Sequence, residues 1–242
     1  MNEPLRKRIT PGFDVQAQKW TVADENLQAI PPAMLTPAFI EKAFDHSLVW
    51  SADALVQEWN EAKIIQYQSE SYIDSAVLMP LVKNGDAISV LLTKRSEKLF
   101  HHPGQISFPG GRVEESDINP QHTALRETFE EIGVPGKDVT VLGQLPEFYT
   151  GTGFLLRPYV GWLDNISEIR IDQVEVAEVF QVPLAFLMDP RNHRLHHAIQ
   201  PDGNERYYYS MPWNDYFIWG ATASIIRNFY HRLLAVAGTG QA

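Results

Sequence analysis

The chain has 242 residues, of which 44% are hydrophobic; that is enough to bury a core and excludes global disorder. It contains no cysteine, which removes disulfides, thiol catalysis and Cys-based zinc sites together and makes a reducing, cytoplasmic compartment the expected location. The formal net charge of -10 argues against a broad nucleic-acid surface, so an anionic ligand needs local help from cations, metal or backbone amides.

Residues 1–70 read as an N-terminal helical extension. Arg6, Lys7 and Arg8 have no apolar run behind them, so no signal peptide is expected, and no uninterrupted stretch is long enough to span a bilayer. Pro4, Pro11, Pro31, Pro32 and Pro37 punctuate an opening of loop or extended chain. Thr36-Pro37-Ala38 starts a helix, with Phe39, Ala43 and Phe44 on one face. A second helix follows Ser51, where Ala54, Leu55 and Glu58-Trp59 recur at helical spacing. Trp20, Trp50 and Trp59 would be unusual in a mobile tail, so the extension is expected to pack on the main domain.

Residues 71–236 read as that domain, with 237–242 as a short tail. Ala76 to Val82 is an apolar strand, Asn84-Gly85-Asp86 a hairpin turn, and Ile88 to Thr93 the returning strand. Gln105 to Phe108 is a short strand that runs into Pro109-Gly110-Gly111. Asn119 caps a helix that begins at Pro120 and stops at Ile132, before Gly133 and Pro135. Val139 to Gly143, Phe154 to Trp162 and Val176 to Val182 are further strands, the last leading into a helix from Pro183 to Met188. His193 to Ile199 and Arg206 to Tyr209 form a late hairpin around Pro201-Asp202-Gly203. Trp219 to Val236 is the final helix, with Ile225, Ile226, Phe229 and Leu233 inward. Mixed strands with two or three helices suggest an α/β/α sandwich. Tyr207-Tyr208-Tyr209 and Trp213 are expected to pack in the core.

The helix from Pro120 carries the chemistry. At about 100° per residue, Leu125, Phe129 and Ile132 fall within about 60° of one another and predict the apolar face. Glu127, Glu130 and Glu131 cluster on the other side, with Arg126 at the edge. A Glu-rich helix is most often a solvated face. Three carboxylates at this spacing nevertheless repel unless a cation sits among them, and carboxylate oxygens suit Mg²⁺ or Mn²⁺. A glycine pair just before the helix lets the backbone approach a ligand closely.

Taken together, this pattern resembles the Nudix box, the signature of hydrolases that cleave nucleoside diphosphates linked to another moiety. Gly111, Asp117, Arg126, Glu127, Glu130, Glu131 and Gly133 fill its places. Asp117 stands where a Glu is usual, one extra residue separates it from Arg126, and Thr128 occupies a normally apolar position. The resemblance implies a Nudix-type α/β/α sandwich with a mixed sheet. It also implies Mg²⁺ or Mn²⁺ held by Glu127, Glu130, Glu131 and the Gly110 carbonyl, with Arg126 orienting a glutamate. The general base in such enzymes comes from the box or from a later loop. Glu147, Glu175 and Glu178 are the candidates here, with Glu175 or Glu178 favoured.

Leu91-Leu92-Thr93-Lys94-Arg95-Ser96, then Gly104, then Phe108-Pro109-Gly110-Gly111 resembles the extended motif of coenzyme A pyrophosphatases, as do Val182-Pro183-Leu184 and Ile218 to Ala223. Those enzymes split coenzyme A into 3′,5′-ADP and 4′-phosphopantetheine. The resemblance places Lys94, Arg95, Gly110, Gly111 and Arg112 at the substrate. Phe100 stands where that motif carries a basic residue; Lys98, His101 and His102 lie nearby, and the two histidines are not expected to bind metal. ADP-ribose or a dinucleotide is the alternative substrate, and a non-catalytic nucleotide sensor the alternative class. The expected partners are a small-molecule nucleotide and a second copy in a homodimer, with no nucleic acid and no membrane.

Overall fold

The computed structural model describes residues 13–67, 71–164, 168–200 and 203–239. In chain order they form β1 (Trp20–Val22), α1 (Pro37–Lys42), α2 (Ala54–Tyr67), β2 (Ile73–Asn84), β3 (Ala87–Arg95), β4 (Ile106–Ser107), β5 (Gly110–Arg112) and α3 (Pro120–Ile132). There follow β6 (Val139–Gln144), β7 (Phe148–Tyr149), β8 (Phe154–Leu163), β9 (Val176–Pro183), α4 (Leu184–Leu187), β10 (Arg194–Ile199), β11 (Glu205–Trp213), β12 (Tyr216–Trp219) and α5 (Gly220–Thr239). The early prolines Pro4 and Pro11, the basic Arg6, Lys7 and Arg8, the turn residues Pro201 and Asp202, and residues 240–242 lie outside the described residues.

The main sheet runs in the order β4-β3-β2-β8-β6, with β5 also on β2, β7 on β8 and β9 on β3. It is mixed: β2 and β8 are parallel, and the other pairs are antiparallel. The apolar run of β2 is explained by burial on both faces. Ala76, Leu78 and Val82 point to one side, where they meet Ala124 and Ile132 of α3. Val77, Met79 and Leu81 point to the other, into the core shared with α5 residues Ile225, Ile226, Phe229 and Leu233. Helices therefore cover both sheet faces, the α/β/α sandwich that the order of elements predicts.

A second, four-stranded sheet has the order β1-β10-β11-β12. The late hairpin forms it, and Trp20, Thr21 and Val22 pair with His196, Leu195 and Arg194 to complete it. The N-terminal stretch thus supplies a strand as well as two helices. Tyr208 and Tyr209 are buried and Tyr207 is exposed, while Trp213 packs on Phe186 at 4.6 Å. Trp219, read from sequence as helical, is the last residue of β12, and Gly220 opens α5. Among the described residues no helix is long and apolar enough to cross a membrane.

α5 carries polar groups into the core. Arg227 and His193 are buried, and the His193 ring nitrogens are both used: Nε2 donates to the Leu187 carbonyl at 2.7 Å, and Nδ1 accepts from Arg227 Nη1 at 3.0 Å. A second ring proton would point at the guanidinium, so this pairing holds the imidazole neutral. Burial, with the Arg227 charge adding to it, lowers the His193 pKa from 6.5 to about 4. Between those values the unfolded chain binds a proton that the folded chain does not. The contribution to stability is therefore complete above about pH 6.5 and is lost as pH falls toward 4, about 3 kcal/mol at most. Melting temperatures measured from pH 7.5 to 4.5 should fall less steeply across this window in His193→Gln than in the wild type. Parallel profiles would show that His193 does not titrate on unfolding.

Candidate active site

The acidic helix α3 is delimited at both ends. Asn119 Oδ1 accepts the His122 N–H at 2.9 Å, Pro120 takes the first helical position, and Gly133 ends the helix in the left-handed region. Its buried face differs from the one expected. Thr123, Ala124, Thr128, Glu131 and Ile132 are buried, whereas Phe129 is exposed. The helix is therefore turned so that Glu131 sits within the packed face, beside Ala124 and Ile132. Thr128 fills its core-facing position by donating its hydroxyl to the Ala124 carbonyl at 2.6 Å, which satisfies the polar atom within the helix.

Arg126 organises the carboxylates. Its Nε and Nη2 donate to Asp117 at 3.0 and 2.9 Å, and Nη2 also donates to the Arg112 carbonyl at 3.0 Å. Nη1 donates to Glu127 at 3.0 Å and to Glu130 at 2.9 Å. All five N–H donors of the guanidinium are thus engaged. Asp117 is fully covered and also accepts the Glu114 N–H and the Thr123 hydroxyl. The Arg126 guanidinium holds the Asp117 carboxyl well below the usual range. The shorter Asp at this position, one residue further from Arg126, still reaches the guanidinium with both oxygens.

Electrostatics separate the glutamates. Burial pushes the Glu131 carboxyl up to about 8; Arg95 opposes this, and Glu127 and Glu175 add to it. Arg95 Nη1 lies 4.0 Å from Glu131 Oε1, and the other oxygen, Oε2, is buried with no hydrogen-bond partner. Burial also raises the Glu127 pKa against the pull of Arg126. A buried carboxylate oxygen without a donor is costly. Such a set of hard oxygens, repelling one another in partial burial, fits a divalent cation. As placed, no three Asp, Glu or His side chains among the described residues converge as ligands, and Arg126 takes one oxygen from each of Glu127 and Glu130.

The glycine pair reaches the same place through β5, where Gly110 pairs with Val77 and Gly111 with Ala76 of β2. A Cβ on Gly110 would lie 2.4 Å from the Ala76 carbonyl oxygen, with φ at +154°; on Gly111 it would lie 2.2 Å from Glu127 Oε1. The two positions thus demand glycine for different reasons. Gly110→Ala meets backbone and should lower the melting temperature. Gly111→Ala meets the end of a movable side chain, so it should leave melting nearly unchanged while displacing Glu127 and reducing turnover at least tenfold. Parallel melting and rate measurements on both variants check this, and an active Gly111→Ala enzyme would contradict it.

One cavity of about 730 Å³ opens beside these groups, lined by Glu127, Gly110, Gly111, Arg95, Arg112 and Glu175 among others. Of the two later carboxylates favoured from sequence, the structure brings only Glu175 there. Glu178 faces Lys94 across the sheet, accepts the Tyr216 hydroxyl, and lies with Lys94 in a separate recess. Lys94 is therefore not brought to the glutamates. Glu147 is paired with Arg157 at 2.9 Å. His101 and His102 line the cavity, each with a buried Nδ1 lacking a partner, whereas Phe100 is exposed. The far wall comes from elements that sequence reasoning left without a role: Leu55, Val56 and Trp59 of α2, Arg206 of β11 and Ile225 of α5. The sequence places Trp59 on the second helix and marks it as too large for a tail, with no signal that it faces a ligand cavity.

The family model described as the NUDIX domain matches residues 73–209, more than half of the chain. The "Uncharacterized Nudix hydrolase NudL" of Enterobacter sp. (strain 638) is 40% identical over 154 residues, covering 63% of this chain and 79% of that protein. The protein of the same description from Escherichia coli (strain K12 / DH10B) is 37% identical over 164 residues, 67% of this chain and 84% of that one. Among solved structures, the MutT protein from Methanosarcina mazei Go1 is 19% identical and covers 68% of this chain and 94% of its own, with a TM-score of 0.44. With the box residues assembled on α3 beside one cavity, the chain belongs to the Nudix hydrolase family, enzymes of nucleoside diphosphate derivatives that generally use divalent metal ions.

Proposed function

We propose that the protein hydrolyses the diphosphate linkage of coenzyme A or acyl-coenzyme A with Mg²⁺ or Mn²⁺, giving 3′,5′-ADP and (acyl-)4′-phosphopantetheine. The observation that supports a substrate this large and partly apolar is the cavity itself. It is continuous from Glu127 and Glu175 to the apolar side chains of Leu55, Val56, Trp59, Phe148 and Ile225. Arg95 and Arg112 lie at its charged end, beside the resemblance to the coenzyme A motif carried by Leu91 to Gly111.

Glu127, Glu130, Glu131 and the Gly110 carbonyl would hold the metal. When bound, the metal supplies charge neutralisation on the phosphate oxygens and a more acidic water. Arg126, anchored on Asp117, fixes the directions of Glu127 and Glu130. Arg95 and Arg112 offset the charge of the diphosphate. Glu175, the later carboxylate at the cavity, takes the proton from the attacking water. On this assignment Glu175→Gln lowers kcat at least a hundredfold and Glu178→Gln changes it less than twofold. Equal losses in the two variants would remove the distinction.

The substrate assignment is tested by incubating purified protein and Mg²⁺ or Mn²⁺ with coenzyme A, ADP-ribose and diadenosine polyphosphates, and separating the products. Release of 3′,5′-ADP from coenzyme A at the highest kcat/KM is expected. Robust turnover of ADP-ribose with none of coenzyme A would overturn it.

A further inference from the structure

Arg206 is a cation with no counter-ion among the described residues. It sits on β11 opposite Ala198, half-buried, and lines the wall of the cavity. Among the described residues no carboxylate pairs with it. Burial lowers its pKa, and only Tyr208 acts against that. The other arginines of the cavity wall lie at its charged end, Arg95 against Glu131 and Arg112 over the Phe154 ring at 5.5 Å, and Arg126 behind them is saturated by Asp117, Glu127, Glu130 and the Arg112 carbonyl. Arg126 and Arg95 are the cations that pull on Glu127 and Glu131 respectively. Arg206 thus shares the cavity with the α3 glutamates without being paired to them. In a chain of net charge -10, a partly desolvated guanidinium that no carboxylate pairs with suits an anionic ligand; its neighbour Glu205 lies 3.4 Å from His197 instead.

What stands next to it narrows the ligand. A Cβ placed on Gly151 would lie 3.7 Å from both Arg206 Nη2 and Trp59 Cζ2, so the guanidinium and the indole border the same glycine. The indole is fixed in orientation, because its Nε1 donates to the Tyr149 carbonyl at 2.6 Å. Its neighbour on α2, Asn60, donates to the Glu147 carbonyl at 2.7 Å and accepts the Tyr149 N–H at 3.0 Å. α2 is therefore stapled to β7, and Trp59 forms a rigid wall at the recess. A flat aromatic surface beside a bidentate cation suits a nucleoside that carries a phosphate on its ribose. Trp59 lies outside the 73–209 family match, whereas Gly151 and Arg206 lie within it.

We propose that Arg206 is a specificity-determining residue that binds a phosphomonoester on the nucleoside half of the substrate, separate from the diphosphate that is cleaved. This rests on the assignment of a coenzyme A-like substrate, in which such a group is the 3′-phosphate. It gives the cavity a second anion contact, with the scissile linkage held at α3 and the ribose phosphate at β11.

Calorimetric titration tests the contact without turnover. The probes are adenosine 3′,5′-bisphosphate and adenosine 5′-monophosphate, added to the full chain in Mg²⁺. The wild type should bind the bisphosphate roughly tenfold to a hundredfold more tightly, the range of a charge-assisted contact. Arg206→Gln should lose that preference and Arg206→Lys should keep part of it, with circular dichroism confirming that both fold. In steady state, the KM for coenzyme A should rise about tenfold relative to that for 3′-dephospho-coenzyme A in Arg206→Gln. A preference retained in Arg206→Gln, or absent in the wild type, overturns the proposal. If the preference depends on Arg206 but coenzyme A is not turned over, Arg206 stands as the phosphate site and the substrate assignment fails.

Discussion

Glu130→Gln should lower kcat by on the order of 10³-fold and leave the fold intact. Glu130 is half exposed and is tied to the protein by one Arg126 N–H at 2.9 Å, a spacing of four along α3. Such a pair stabilises by no more than about 0.5 kcal/mol. Without it Arg126 keeps both Asp117 contacts, the Arg112 carbonyl and Glu127, so the box holds its shape. What disappears is a carboxylate charge beside Glu127 and Glu131, where a divalent cation would meet a phosphate. The measurement is kcat for the wild-type substrate in saturating Mg²⁺, with thermal melting alongside. An unchanged rate would show that the α3 glutamates are not the metal site.

Asp53→Ala should produce the largest loss of stability, about 3–5 kcal/mol, or roughly 6–20 °C in melting temperature for a chain of this size. Asp53 Oδ2 accepts from Arg227 Nε at 2.9 Å and lies 3.3 Å from His231 Nε2; Oδ1 accepts from the Tyr209 hydroxyl at 2.8 Å and the Val56 N–H at 3.2 Å. Burial works to raise the Asp53 pKa, and His231, Arg227 and Tyr209 outweigh it and hold the carboxyl below its usual range. Forming a buried pair contributes little net stability, but breaking one leaves the other charge stranded. Removing Asp53 strands Arg227, which is 2% exposed. The network joins the start of α2, β11 and α5, the elements that wall the cavity opposite α3. Denaturant unfolding should also show Asp53→Ala combined with Arg227→Leu to be more stable than Asp53→Ala alone. A double variant with fully additive losses would mean that the pair does not act as a unit.

Much of this protein was legible along the chain because its signals are local. The apolar run of β2, the Asn119 cap and Gly133 stop of α3, and the spacing of Arg126, Glu127, Glu130 and Glu131 each depend on neighbours within a few residues. The facing of α3 was not legible. Periodicity places Phe129 inward, but Glu131 is buried there, because the packed face closes on the glycine strand and Arg95. A hydrophobicity pattern counts a buried carboxylate as surface, so an acidic site on the inner face of a helix inverts the expectation.

The same limit applied to the later loop. Glu175 and Glu178 stand three residues apart, so strand alternation puts them on different faces but does not say which face meets the cavity. Glu178 lies within β9, facing Lys94 and the outer recess, whereas Glu175 precedes the strand at the cavity, next to a register shift where Lys94 faces Glu178 and Arg95 faces Val176. A bulge of this kind arises from pairing with a strand some eighty residues earlier.

The amino-acid sequence by itself determined the sandwich, the Nudix box and the acidic helix, since each is written in short-range pattern and residue type. Only the tertiary structure decided which groups share the cavity: Glu175 and not Glu178, Arg95 and not Lys94, and the wall of Trp59 and Arg206. The reason is chain distance. Trp59 and Arg206 border one glycine from positions far apart in the sequence, and no local propensity records a contact made only when two sheets and two helices close around it.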